Sequence, residues 1–310
     1  MLPRGRPSWA VLLLALRLGL AAVGAGSFRV ATYNLEGYVD AATATRPAKS
    51  PESKAKVREQ IRALRPDILA VQEVGSASAL LELQKGLQSE GVDLPYFECV
   101  SGSDTNIHVA VLSRWPFSAF RPHTNLSFLL GGRRFHVSRG FCEVVIQLNQ
   151  GYSFTLLAVH LKSRRAVPQA DESDLRFEEA KLLREIIESR LNANPHLNLV
   201  ALGDFNDTKD SPAIRAIIGR GRNKLVDTQP AERSCDPSAN SDPTGESRKI
   251  MWTHYFSKED TYSRIDYIFL SPGMARAWLP AGTFVLACPN WGLASDHRPV
   301  IAEFQDMDPY

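Results

Sequence analysis

Cysteine is scarce in this chain: Cys99, Cys142, Cys235 and Cys288 are four residues in 310, and no two share a CxxC spacing. A structural zinc site of the usual spacing is therefore not expected, and one or two disulfides remain open if the compartment is oxidising. Long apolar runs are missing beyond the first 25 residues, so no segment of the remaining chain can span a bilayer. Internal repeats, low-complexity blocks and linkers are absent too, which argues against an array or a string of small domains.

The first 25 residues differ from the rest. Arg4 and Arg6 precede an apolar stretch over residues 11–23, broken only by Arg17, and Val23-Gly24-Ala25 supplies small residues for cleavage. This reads as a signal peptide over residues 1–25, followed by one domain over 26–310 and export to a secreted or periplasmic location. With Arg4, Arg6 and Arg17 removed, 33 of the 36 basic residues remain against 34 acidic ones, a net charge of −1. An excess of either sign is thus lacking, and with it any general pull on polyanions or membranes. Affinity for nucleic acid would have to come from local patches such as residues 133–134, 162–165 and 220–224.

What the chain does contain is short apolar runs alternating with helical periodicity. Residues 28–35, 68–74, 96–100, 108–112, 135–148, 152–160 and 198–202 read as strands, with a hairpin turn at 149–151. Residues 264–270, 283–287 and 299–304 read as closing strands. Helices are expected over 53–64, ended by Pro66, and over 79–87, 175–191 and 213–218. Residues 229–247 form a polar loop. Many strands with a few long helices imply a single α/β domain of packed sheets.

Polar residues with chemical capacity recur at strand ends, where loops present them to ligands. Asn34 follows RVATY, Glu73 follows ILAVQ, His160 follows TLLAV, and Asp204 follows NLVALG with Asn206 two residues on. Asp266 sits inside SRIDYIFL, and Asp296-His297 precedes a strand. Taken singly, such residues are ordinary turn formers. Asp266 is harder to dismiss, because a carboxylate within an apolar strand needs a partner.

Taken in order, NLEGY, QEVG, VHLKS, GDFND, SRIDYIF and SDHRPV resemble the endonuclease/exonuclease/phosphatase superfamily over nearly the whole chain after the leader. The resemblance implies a four-layered α/β sandwich, with two mixed β-sheets face to face and helices on the outer faces. It also implies a metal-dependent phosphoester hydrolase using Mg²⁺, with Mn²⁺ as the alternative. By the same resemblance Glu73 is the principal metal ligand, with Asn34 and Asp296 close to the ion. Asp204 orients or deprotonates the attacking water, Asn206 contacts the scissile phosphate, and Asp266 orients His297. His160 and Arg139, in the SRG at 138–140, bind phosphate oxygens. A phosphodiester repels an anionic nucleophile, so oxygen ligands for a hard cation and a carboxylate-held imidazole suit this chemistry.

Four readings of the substrate compete. A secreted nuclease comes first, supported by export and the His160 motif and opposed by the near-neutral charge. A phospholipid or sphingomyelin phosphodiesterase is the second, with LSFLL at 126–130 as the one candidate for membrane insertion. The third acts on sugar or inositol phosphates. A non-catalytic binding module is disfavoured, because every chemical position holds a competent residue. The oligomeric state is left open, a monomer being compatible. A glycan at the Asn206-Asp207-Thr208 sequon would block the expected site.

Overall fold

The computed structural model describes residues 26–42, 46–236 and 252–306. The leader expected over residues 1–25 lies outside them, as do residues 237–247 of the expected polar loop. In chain order, β1 (Ser27–Tyr38), α1 (Pro51–Leu64), β2 (Ile68–Val74) and α2 (Ala77–Ser89) lead to β3 (Tyr96–Val100), β4 (His108–Ser113) and β5 (Phe117–His123). A small hairpin, β6 (Ser127–Leu130) and β7 (Arg133–His136), precedes β8 (Phe141–Gln147) and β9 (Ser153–His160). Then come α3 (Glu172–Ala193), β10 (Leu199–Asp204), α4 (Pro212–Ile218), β11 (Val226–Asp227) and β12 (Ala231–Ser234). A second hairpin, β13 (His254–Phe256) and β14 (Thr261–Ser263), is followed by β15 (Asp266–Leu270), α5 (Met274–Ala277), β16 (Trp278–Ala287) and β17 (Val300–Gln305).

Seven strands form one mixed sheet in the order β12-β16-β17-β1-β2-β4-β3, and six form the other in the order β11-β15-β10-β9-β8-β5. Side chains on successive strand residues point to opposite faces. On β10, Val200 and Leu202 enter the core between the sheets, while Leu199 and Ala201 enter the core beneath α3 and α4. On β1, Val30 faces the other sheet and Ala31 and Tyr33 face the layer of α1 and α2. Central strands buried on both faces explain the unbroken apolar runs in the sequence. The result is the expected four-layered sandwich, helix–sheet–sheet–helix.

Local chemistry sets the helix ends. Ser50 caps α1 by accepting from Ser53 N–H, Pro51 occupies the first turn where its missing N–H costs nothing, and Arg65 closes the helix at φ 51° before Pro66. Among the described residues no helix is long and apolar enough to cross a membrane.

Three expectations need correction. Residues 135–148 are two strands, not one, because residues 137–140 are clamped. Ser138 N–H and Oγ both donate to Glu179 Oε1 of α3, at 2.8 and 3.0 Å. Gly102 lies against the same segment, where a Cβ would come within 2.5 Å of Ser138 O. The expected polar loop at 229–247 contains β12, which pairs in parallel with β16. Strand β5 was not anticipated at all, since it is an edge strand with exposed positions and Pro122.

One disulfide is present, Cys235–Cys288, and Cys99 and Cys142 are free. It ties the end of β12 to the end of β16 across 53 residues of chain. Closing a loop of that length in the unfolded chain is worth about 2–4 kcal/mol. The Cys235→Ser/Cys288→Ser pair should lose that amount of unfolding free energy in urea titration. An unchanged midpoint would mean that the bond contributes no stability.

Candidate active site

The register of three strands lines up the first chemical residues. Parallel pairing of β10 with β9 sets Asp204 opposite His160, and antiparallel pairing with β15 sets Asp204 opposite Asp266. Each of the three is at most 1% exposed. Gly203 makes the close approach possible: its φ is 139°, and a Cβ there would lie 2.0 Å from Val159 O.

Asp204 is the hub. Its Oδ1 accepts from Asn206 N–H at 2.8 Å, and its Oδ2 accepts from Asn34 Nδ2 at 2.9 Å and Asn206 Nδ2 at 3.2 Å. The Nε2 atoms of His160 and His297 approach the same Oδ2 at 3.5 and 3.8 Å. Asn206, left-handed at φ 55°, also donates to Leu161 O at 3.0 Å, which locks the turn after β10 onto the loop after β9.

His297 is held from behind. Its Nδ1 lies 2.9 Å from Asp266 Oδ2, and Thr253 Oγ1 donates to that same oxygen at 2.6 Å. Thr253 in turn accepts from the N–H groups of Ile265 and Asp266, so its proton is committed to the carboxylate. Burial alone would discharge His297, but Asp266, Asp204 and Asp296 outweigh it and raise the imidazole to about 10. Burial also lifts the Asp204 carboxyl, to about 6, against the pull of His297. His160 goes the other way: burial and the cations Arg139, His297 and Arg46 hold it neutral, well below the usual imidazole range. Neutral pH therefore finds an ionised Asp204 between a charged His297 and a neutral His160.

The expected metal residues converge on the β1 side of this row. Glu73 has φ 64° and presents Oε1 4.0 Å from His160 Nε2, while its Oε2 accepts from Arg46 Nη1 at 2.9 Å. Asn34, through its amide, is already bonded to Asp204. Asp296, partly exposed, has Oδ1 3.8 Å from His297 Nε2 and Oδ2 3.6 Å from His254 Nε2. Glu36 is a third acid there: its Oε2 accepts from Asp296 N–H at 3.0 Å, and burial, Asp296 and Glu73 raise its carboxyl. Carboxylate and amide oxygens in this number suit a hard divalent cation. Ligand atoms of His254, Asp296 and His297 also gather within 4.8 Å of one another, as do those of Asp204, Asp266 and His297.

Arg139 borders the row from the clamped segment. It is 6% exposed, its Nη1 donates to Leu161 O at 3.3 Å, and its Nε has no hydrogen-bond partner among the described residues. Glu179 holds both neighbouring loops, since Lys162 N–H donates to its second oxygen at 2.6 Å. Arg164 Nε donates to Asn206 O at 3.1 Å, beside the row. The basic runs do not make one strip. Residues 133–134 and Lys162 line a common cavity of about 340 Å³. Residues 220–224 lie instead at the far end of α3, where Arg222 bonds Asn192 and Asn223 bonds Glu188 and Asn192.

All nine expected residues thus meet at one edge of the two sheets. Sequence reasoning missed Glu36, His254 and Arg46, and it gave Thr253 no part in the chemistry. Glu36 stands inside NLEGY and Thr253-His254 close before SRIDYIF, so proximity to the motifs was the available signal. A cavity of about 830 Å³ lies elsewhere: Arg65, Asp67 and Arg114 line it at the start of β2, and no candidate residue reaches it.

A model of the Endonuclease/Exonuclease/phosphatase family matches residues 31–297. Comparison of the sequence with curated proteins gives no match. The fold is similar to that of the human nocturnin catalytic domain with bound sulfate, at 17% identity and a TM-score of 0.58, covering 90% of this chain and 94% of that one. It is similar to sphingomyelinase C from Streptomyces griseocarneus, at 19% identity and a TM-score of 0.57, covering 90% and 100%. It also resembles a mannosyl-6-phosphatase from Bacteroides thetaiotaomicron, at 18% identity and a TM-score of 0.53, covering 89% and 98%. At these identities the likeness establishes the fold alone.

Proposed function

Because the chain belongs to the endonuclease/exonuclease/phosphatase family and is therefore a metal-dependent hydrolase of phosphoric esters, we propose that it is an exported, Mg²⁺-dependent phosphodiesterase of nuclease type. The observation that carries this reading is the Asp204 carboxylate set between two imidazoles, at 3.5 and 3.8 Å, with the acid-rich cluster of Glu73, Asn34, Asp296 and Glu36 beside it.

Glu73, Asn34 and Asp296 would hold the divalent ion, Mg²⁺ or alternatively Mn²⁺, which when bound neutralises phosphate charge and stabilises the leaving oxygen. The chain's own groups do the rest. Asp204 takes a proton from the attacking water, and Asn206 and Arg139 bind phosphate oxygens. His160, neutral, donates from Nε2. His297, charged and oriented by Asp266, presents Nε2 to the oxygens that gain charge in the in-line transfer. The disulfide supports an oxidising compartment, in keeping with the expected leader.

A diester has two substituents, and the row has a cavity on each flank. One is the basic cavity of Arg133, Arg134 and Lys162; the other, of about 610 Å³, begins at Glu36 and Asp296. The separation of residues 220–224 from the row favours a nucleotide or short-oligonucleotide diester over a long tracked polyanion. The lipid reading rests on Leu129 of β6, an exposed leucine on an otherwise half-buried hairpin strand, and the sugar-phosphate reading would leave one flank unused.

Hydrolysis of bis-p-nitrophenyl phosphate against p-nitrophenyl phosphate tests the proposal. The diester should turn over with Mg²⁺, stop with EDTA and recover when Mg²⁺ is returned. Cleavage of the monoester alone would move the assignment to a phosphatase. Silence on both, and on natural diesters, would leave a binding module.

A further inference from the structure

The cavity on the aromatic flank has walls tied to the reactive row. Strand β13 is bonded to it through the backbone: Tyr255 N–H donates to Asp296 O at 3.0 Å and Arg298 N–H donates to Thr253 O at 2.6 Å. His254 and Phe256, two residues apart on that strand, lie on the same face. Their rings continue a row that starts at the reacting centre. His297 and His254 have centroids 4.6 Å apart, and His254 and Phe256 follow at 6.4 Å with planes only 23° from parallel. Phe256, at the outer end, is 38% exposed. Trp291 also lines the cavity, backed by Trp252 at 5.4 Å and anchored to α1 by Gln60 Nε2, which donates to Trp291 O at 3.2 Å. Tyr255 and Lys258 are also part of the lining.

Resting on the phosphodiesterase reading above, we propose that this cleft is a stacking subsite for a flat, uncharged aromatic ring carried by the scissile phosphate, a nucleobase, with Phe256 as its outer platform and Trp291 in its lining. A second phosphate is disfavoured there, because the carboxylates Glu36 and Asp296 line the inner end. Aromatic faces accept any base, so the subsite selects nucleotidyl over alkyl diesters without reading sequence.

Calorimetric binding in the presence of Mg²⁺ tests this with thymidine 5′-monophosphate and 2-deoxyribose 5-phosphate, which differ only by the base. The base should tighten binding by about tenfold or more. Phe256→Ala should erase that gap, and Phe256→Tyr should keep it. Equal affinities in the unaltered protein, or a gap that survives Phe256→Ala, would overturn the subsite. Tighter binding of phosphocholine than of the thymidine ligand would replace the ring with a quaternary ammonium headgroup. Hydrolysis of bis-p-nitrophenyl phosphate, run in parallel, separates the two levels. Its absence together with silence on natural diesters removes the phosphodiesterase reading, whereas its presence without a base-dependent gap removes the stacking subsite alone.

Discussion

Replacing Asp204 with asparagine is expected to lower kcat on a phosphodiester by about 10²–10⁴-fold, the range for losing a positioned general base. The exchange keeps shape and removes charge. Asparagine still offers one oxygen, but its amide must face either Asn206 N–H or the side-chain amides of Asn34 and Asn206, all of which donate. That clash costs about 1–3 kcal/mol. Against it stands the relief of a buried charge. The folded pKa of Asp204 is raised from 3.8 to about 6, so its ionisation works against the fold as pH rises through that interval. The two effects oppose, and the melting temperature should stay within a few degrees of the parent. A loss of activity under tenfold, with the fold intact, would remove Asp204 from the role of base.

The site was readable in the sequence because strand ends and register coincide. His160, Asp204 and Asp266 each close or open an apolar run, and the pairing of three adjacent strands then sets them in a line. Central strands such as β10, buried on both faces, leave long apolar signals. Edge elements do not: β5 is half exposed and contains Pro122, and the β13–β14 hairpin carries a run of polar residues in its turn. Helix α3 hides a different case. Arg176, Glu179 and Arg184 look like its solvent face, yet all three are buried because loops from the second sheet bond to them. Glu179, which shapes the segment before Arg139 and the loop after His160, has no local mark in the sequence. Arg46 likewise acts only through contacts made across the fold.

Asp266→Asn is expected to reduce kcat by about 10²–10³-fold, and the reason lies in Thr253. In a carboxylate–imidazole pair an asparagine can turn its amide toward the ring and force the wrong tautomer. Here the Thr253 proton points at Oδ2, the same oxygen that holds His297 Nδ1, so the asparagine oxygen should be kept in that position. The other oxygen has no hydrogen-bond partner, and an amide placed there would be buried without one. The tautomer is then preserved, and what is lost is the charge, together with about 1–3 kcal/mol for the amide buried without a partner. Asp204 and Asp296 would still face His297, with His254 and neutral His160 beside it, but Asp266 supplies the largest upward pull on its pKa. Without it the imidazole discharges at lower pH, so the alkaline limb of the rate profile should move down from about 10. Adding Thr253→Val frees the amide to turn, and the double variant should fall by a further tenfold or more, to about 10⁴ in all. A single variant as damaged as the double one would show that Thr253 does not set the orientation. An alkaline limb that stays in place would show that the charge on His297 is not used in the reaction.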